Sequence, residues 1–152
     1  MAELVIDRLA RDAERAPEAP LRPRFALTNA QAWAESGAVA SWLIAQGFGP
    51  RGRSLAVSAP DGIERTVLLL GALRAGALVV EAAEAAVLAF TLKAGRLVSS
   101  EGVALAALAH CSIDAAVAER RRHISADTPA RIVRGTCRHH ADFVTIAEAV
   151  AD

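Results

Sequence analysis

The side chains best suited to covalent or metal chemistry crowd into the last third of the chain. Both cysteines and all four histidines lie after residue 109: His110, Cys111, His123, Cys137, His139 and His140. Cys137 precedes His139 and His140 closely, and Asp142 follows them. An imidazole beside a thiol can form the ion pair that makes sulfur nucleophilic, and an acid can orient the ring. This pattern describes a small thiol enzyme using Cys137 and His139. The same residues raise a metal question, with Cys137 and His139 or His140 joined by Cys111 or His110. No pair has the spacing of a structural zinc site, and adjacent residues on a strand face opposite ways. The plainer expectation is a polar loop, a buried Cys111 and no metal.

Arg120-Arg121-Arg122, Arg131, Arg134 and Arg138 make this third locally basic. They could receive an anion, but a solvated surface is the plainer reading. Over the whole chain 17 basic residues balance 17 acidic ones, for a net charge of 0. The electrostatic footprint of a nucleic-acid binder is therefore missing. Trp33 and Trp42 are nine residues apart, roughly half a revolution on a helix, so at least one should anchor the core or an interface.

The 152 residues are 53% hydrophobic and 22% charged, which excludes intrinsic disorder and supports one domain. The first residues carry acids and no apolar signal core, and no uncharged apolar run reaches the roughly 18 residues of a membrane span. Two cysteines are too few for a disulfide scaffold. The expectation is a cytoplasmic protein with free thiols, not associated with membrane.

The spacing of apolar residues predicts a first helix over 3–16, then a proline-broken connector over 17–24. A short strand is expected at 25–27. Thr28 and Gln31 have the form of a capping box opening a helix that Gly47 ends. Residues 54–59 read as a buried strand, followed by a helix over 62–75 capped by Asp61 and ended by Gly76. Further elements are a strand at 77–82, a helix at 84–94, a strand at 96–99 and a helix at 101–109. Less regular are a helix at 113–122, a strand at 130–134 and a loop at 135–140. A last helix follows the box formed by Thr145 and Glu148. Alternating strands and helices predict an α/β fold, with a mostly parallel sheet flanked by helices.

Five segments in order resemble the beginning of an adenylate-forming enzyme, the superfamily of acyl-CoA synthetases and peptide-synthetase adenylation domains. Glu14-Arg15-Ala16-Pro17-Glu18-Ala19-Pro20 is similar to the family's opening segment. Leu27-Thr28 resembles the start of its first core motif, with Asn29 where an aromatic is usual. Residues 42–52, Trp42 to Gly52, resemble its "L-x-x-x-G-V-x-x-G-D" turn. Ser54-Leu55-Ala56-Val57-Ser58-Ala59-Pro60 is similar to its "V-A-I-x-x-x-N" strand. Leu69-Leu70-Gly71-Ala72-Leu73-Arg74-Ala75-Gly76-Ala77 resembles its "A-L-K-A-G-A" motif. The resemblance implies the fold of that family's first subdomain. It divides the single domain 1–152 into a helix and connector (1–24), a family-like core (25–109) and a divergent remainder (110–152).

The departures imply lost chemistry. Glu81 stands where the family has proline. The family's phosphate loop, rich in Ser, Thr and Gly, ends in Pro-Lys-Gly; here only Gly135 and Thr136 match its middle, with no lysine after them. A cradle of amides and a neutralising cation is what a bound pyrophosphate requires. The resemblance thus implies a non-catalytic remnant without adenylation activity or cofactor, acting as an interaction or regulatory protein. The alternatives are a binding module for an acyl, aryl or nucleotide ligand, such as a small-molecule acid, and the thiol enzyme above. The helix over 62–75 is apolar on more than one side. That fits burial on two faces, and because later subdomains partly cover the sheet's surroundings in full enzymes, a homodimer or another protein partner is expected to cover the apolar surface left here.

Overall fold

The computed structural model describes residues 3–81, 88–108 and 115–151. The first helix, α1 (Val5–Arg15), buries Val5, Ile6 and Leu9. Pro20 and Pro23 then turn the chain through a loop closed by the Leu21 amide on the Leu27 carbonyl (2.8 Å). The strand expected at 25–27 does not form. This tight local bond, with a single bridge between Pro20 and Thr28, leaves no partner for an extended segment.

Helix α2 (Asn29–Ala45) opens with the expected box. The Gln31 amide donates to Thr28 Oγ1 (3.1 Å), and the Thr28 amide donates to Gln31 Oε1 (2.9 Å). Two amides that a helix start leaves without partners are thereby satisfied. Gly47, at φ +87°, turns the chain into β1 (Leu55–Ser58). Helix α3 (Ile63–Ala75) ends at Gly76, in the left-handed conformation. Its N-cap is Gly62 rather than Asp61, whose carboxylate is engaged by Arg22.

After α3 come β2 (Val79–Val80), β3 (Leu88–Lys93) and β4 (Arg96–Ser99). Two short helices follow, α4 (Leu105–Leu108) and α5 (Ala115–Arg121). The chain then forms β5 (Pro129–Val133), β6 (Thr136–His139), a 3₁₀ turn over His140–Asp142 and α6 (Ile146–Val150), which Thr145 caps. The six strands make one mixed sheet in the order β4-β3-β1-β2-β5-β6. The central four run parallel, and an antiparallel hairpin closes each edge.

Two expectations are corrected at those edges. Residues 88–93 are strand, not the second part of a helix over 84–94; residues 84–87 lie outside the described residues. Residues 136–139 are strand rather than loop. Both hairpins turn on two residues with positive φ, Ala94 (51°) and Gly95 (80°), and Arg134 (51°) and Gly135 (78°). That pairing defines the type I′ turn, whose twist matches the strands it joins.

Register places Leu55, Leu88, Phe90 and Leu97 on one sheet face, all of them in the core. Helix α3 packs on this side and touches all five other helices. It is closest to α2: a Cβ on Gly71 would stand 2.6 Å from Val39 Cγ1. Every residue of α3 from Arg65 to Ala75 is buried. The burial on two faces that its apolar pattern predicts is thus supplied from within the chain. Ile63, Leu92 and Val144 are the exposed large hydrophobic residues among the described ones. No described helix is long and apolar enough to cross a membrane.

Candidate functional site

The strand order reverses direction at β1. From β1 the chain crosses through α3 to β2 on one side; β3 lies on the other side and leads outward to β4. In parallel α/β sheets the space outside the carboxyl ends of two such strands is the usual ligand crevice. Here it holds about 590 Å³. Ala59, Pro60, Asp61 and Gly62 approach it from the end of β1, and Leu92, Gly95 and Arg96 from the β3–β4 hairpin. Phe25, Val39, Val67, Leu97 and Leu105 supply apolar wall.

Most charges around this crevice are already matched. Arg22 grips Asp61 bidentately, Nη1 on Oδ1 and Nη2 on Oδ2, both at 2.7 Å, and its Nη1 also donates to Thr66 Oγ1 (3.2 Å). The Arg22 hydrogen bonds hold the Asp61 carboxyl below its usual range against the opposing effect of burial. Arg65 stands 3.8 Å from the same carboxylate and donates to the Val150 carbonyl (2.6 Å). Glu64 accepts from Arg96 Nε and from the Leu97 amide, each at 2.7 Å. Glu35 on α2 differs. It has no hydrogen bond or ion pair among the described residues, and burial raises its carboxyl above the usual range. No Ser, Thr, Cys, His or Lys is among the described residues lining the crevice.

The sequence-derived candidates lie elsewhere, at the β5–β6 edge. Cys137 is exposed on β6, paired across to Ile132. His139 shares its strand face two residues on, about 6.6 Å along the strand. The His139 imidazole instead faces Asp142, Nδ1 to Oδ2 at 3.5 Å. Asp142 also accepts the His139 amide (2.7 Å), and that bond leads the effects lowering its carboxyl pKa. His140 points the other way and is only 1% exposed, its Nε2 without a hydrogen-bond partner. Burial, with the nearby Arg121 charge, lowers its pKa to about 4. Cys137 and His139 are thus brought onto one face, but among the described residues no hydrogen bond joins the thiol to an imidazole. Among the described residues no three His, Cys, Asp or Glu side chains gather around a metal position. His110 and Cys111 lie outside the described residues.

Gly135 and Thr136 sit in and just after the β5–β6 turn. The Gly135 amide donates to Glu81 Oε1 (2.7 Å), so a carboxylate already occupies the donor a phosphate would need.

The arginines read as solvated surface are largely structural. Arg120 Nη1 lies 2.6 Å from each of three carbonyls, those of Phe48, Gly49 and Ala75. Arg121 binds Asp7 through Nε (2.8 Å) and Nη2 (2.5 Å). Arg131 donates to the carbonyls of Ala149 and Ala151, and Arg138 lies over the Phe143 ring. Trp33 stacks on Arg74 and Trp42 packs against the core, as anchors rather than as a platform.

Sequence reasoning missed Arg22 and Glu35. Asp61 was visible as a cap, but nothing in the sequence joins it to an arginine 39 residues earlier. In comparisons with known proteins, no family model, no curated protein and no solved structure matches this chain.

Proposed function

We propose that this chain is a non-catalytic relative of the adenylate-forming enzymes, a regulatory or interaction module that holds a small acyl or aryl ligand in the crevice at β1 and β3. The observation that carries the reading is that crevice. It is large enough for a small molecule, mostly apolar, and set where parallel sheets bind ligands, yet its described walls carry no Ser, Thr, Cys, His or Lys. The kinship rests on the order of the five motifs, which run in sequence from the end of α1 to the end of α3. Adenylation requires fixed positive charge around phosphates. The basic groups at the crevice are held by Asp61, Glu64 and a backbone carbonyl, which favours an acyl or aryl body over a nucleotide. Glu35 then meets the ligand's polar end, which should be neutral or cationic. A second copy or another protein, as expected from the sequence, would read out the bound state.

Thermal-shift titration with benzamide, benzylamine, AMP, ATP and coenzyme A tests this. The expected outcome is a rise in Tm with benzamide or benzylamine that is lost in Ile63→Trp, which fills the crevice from a half-exposed position. No response to any of the five, or pyrophosphate release from ATP and Mg²⁺ with a carboxylic acid, would overturn the proposal.

A further inference from the structure

At the far end of α3, Arg74 is 6% exposed. Its Nη1 donates to the Trp33 carbonyl (2.6 Å) and to Ser36 Oγ (3.0 Å), and its guanidinium carbon lies 3.6 Å from the Trp33 ring centroid. Both acceptors are neutral, and no carboxylate reaches the group among the described residues. A buried cation without a counter-ion is costly, and here burial lowers its pKa to about 10. Among the described residues nothing accepts from Nε or Nη2, and neither is a fully sealed atom of the interior. Arg74 lines a separate pocket of about 410 Å³ between α1, α2, α3 and α5, walled by Ile6, Ala10, Val117 and Ala118. At its rim Asp7 is neutralised by Arg121, so the charges lining the pocket sum to one positive.

The Nε–Nη2 edge is the side of a guanidinium that grips a carboxylate with two parallel hydrogen bonds. We propose that this pocket binds a small amphipathic carboxylate, its head on the Nε–Nη2 edge of Arg74 and its apolar body along Ile6, Ala10, Val117 and Ala118. Trp33 covers one guanidinium face and excludes water from the ion pair, which strengthens it. The site is independent of the crevice at the strand ends.

Sodium octanoate titrated into the Trp42→Phe protein, with Trp33 fluorescence as readout, tests the proposal. Octanoate is expected to saturate the signal, and octanamide, which lacks the charge, to bind at least about tenfold more weakly. Arg74→Met keeps the bulk, removes the edge and should lose octanoate affinity by a similar factor. Because Arg74→Met also strips donors from Trp33 and Ser36, Ala118→Phe is the second variant. It fills the pocket from an exposed position and should abolish binding while the fold persists. A response that survives Ile63→Phe, which obstructs the crevice without adding a second indole, but not Ala118→Phe assigns the ligand to this pocket and not to the crevice. No saturation at millimolar octanoate, equal binding of octanamide, or unchanged binding in Ala118→Phe would overturn the proposal.

Discussion

His140 separates two roles that its residue type leaves open. Its neighbour His139 stays near water and meets Asp142, while His140 turns inward and loses the solvent that would stabilise an imidazolium. The consequence is a pH dependence with a definite sign. The unfolded imidazole binds a proton near 6.5 and the folded one near 4. Between those values the unfolded state holds more protons, so stability falls as pH drops from about 6.5 to about 4. The loss should approach about 3 kcal/mol at the lower end. Urea denaturation of wild type and His140→Gln at pH 7 and pH 4.5 checks this. The variant should be less stable at pH 7 but show a shallower acid limb, and parallel limbs would refute the assignment. The arginines teach a related lesson. Six in one region look like surface charge in a sequence, because main-chain carbonyls, the acceptors that claim Arg120 and Arg131, carry no sequence signal.

At the scale of elements, the α2–α3 contact is the tightest joint. Gly71 is there because α2 leaves no room for a methyl group, not because the backbone needs glycine's freedom. Gly71→Ala should therefore destabilise by about 1–3 kcal/mol, even though alanine is the better helix former. Val39→Ala in the same chain should recover part of that loss, as a thermal-melt double-mutant cycle would show. Elements with local signatures were legible in the sequence. The Thr28–Gln31 box, strand β1 between Gly and Pro, and the stop at Gly76 each depend on neighbours within a few residues. The hairpins were not legible. Ala94-Gly95 and Arg134-Gly135 lack the Asn-Gly or Asp-Gly pair that marks a type I′ turn. Around β3 the alternation of Leu88, Phe90 and Leu92 is short and follows an alanine-rich stretch that favours helix. The crevice was only half visible: Asp61 was flagged, whereas Glu35 gains its character from burial that only the folded chain creates.

For the whole molecule, the decisive fact is that α3 is enclosed by this chain's own helices and sheet. Leu68, at 0% exposure, is buried without help from a second copy. Leu68→Ala should cost about 2–5 kcal/mol, with a denaturation midpoint that does not move with protein concentration. A midpoint rising with concentration would show that a second copy adds to the stability. Any self-association would then have to use other surfaces, such as the outer strands β4 and β6. Arg120 draws a further consequence from the same enclosure. Three carbonyls from the turn after α2 and the end of α3 converge on one side chain that is translated 45 to 72 residues after them. A nascent chain leaving the ribosome cannot lock that junction until α5 has emerged. The turn after α2 and the end of α3 therefore lack this clasp until the final third arrives.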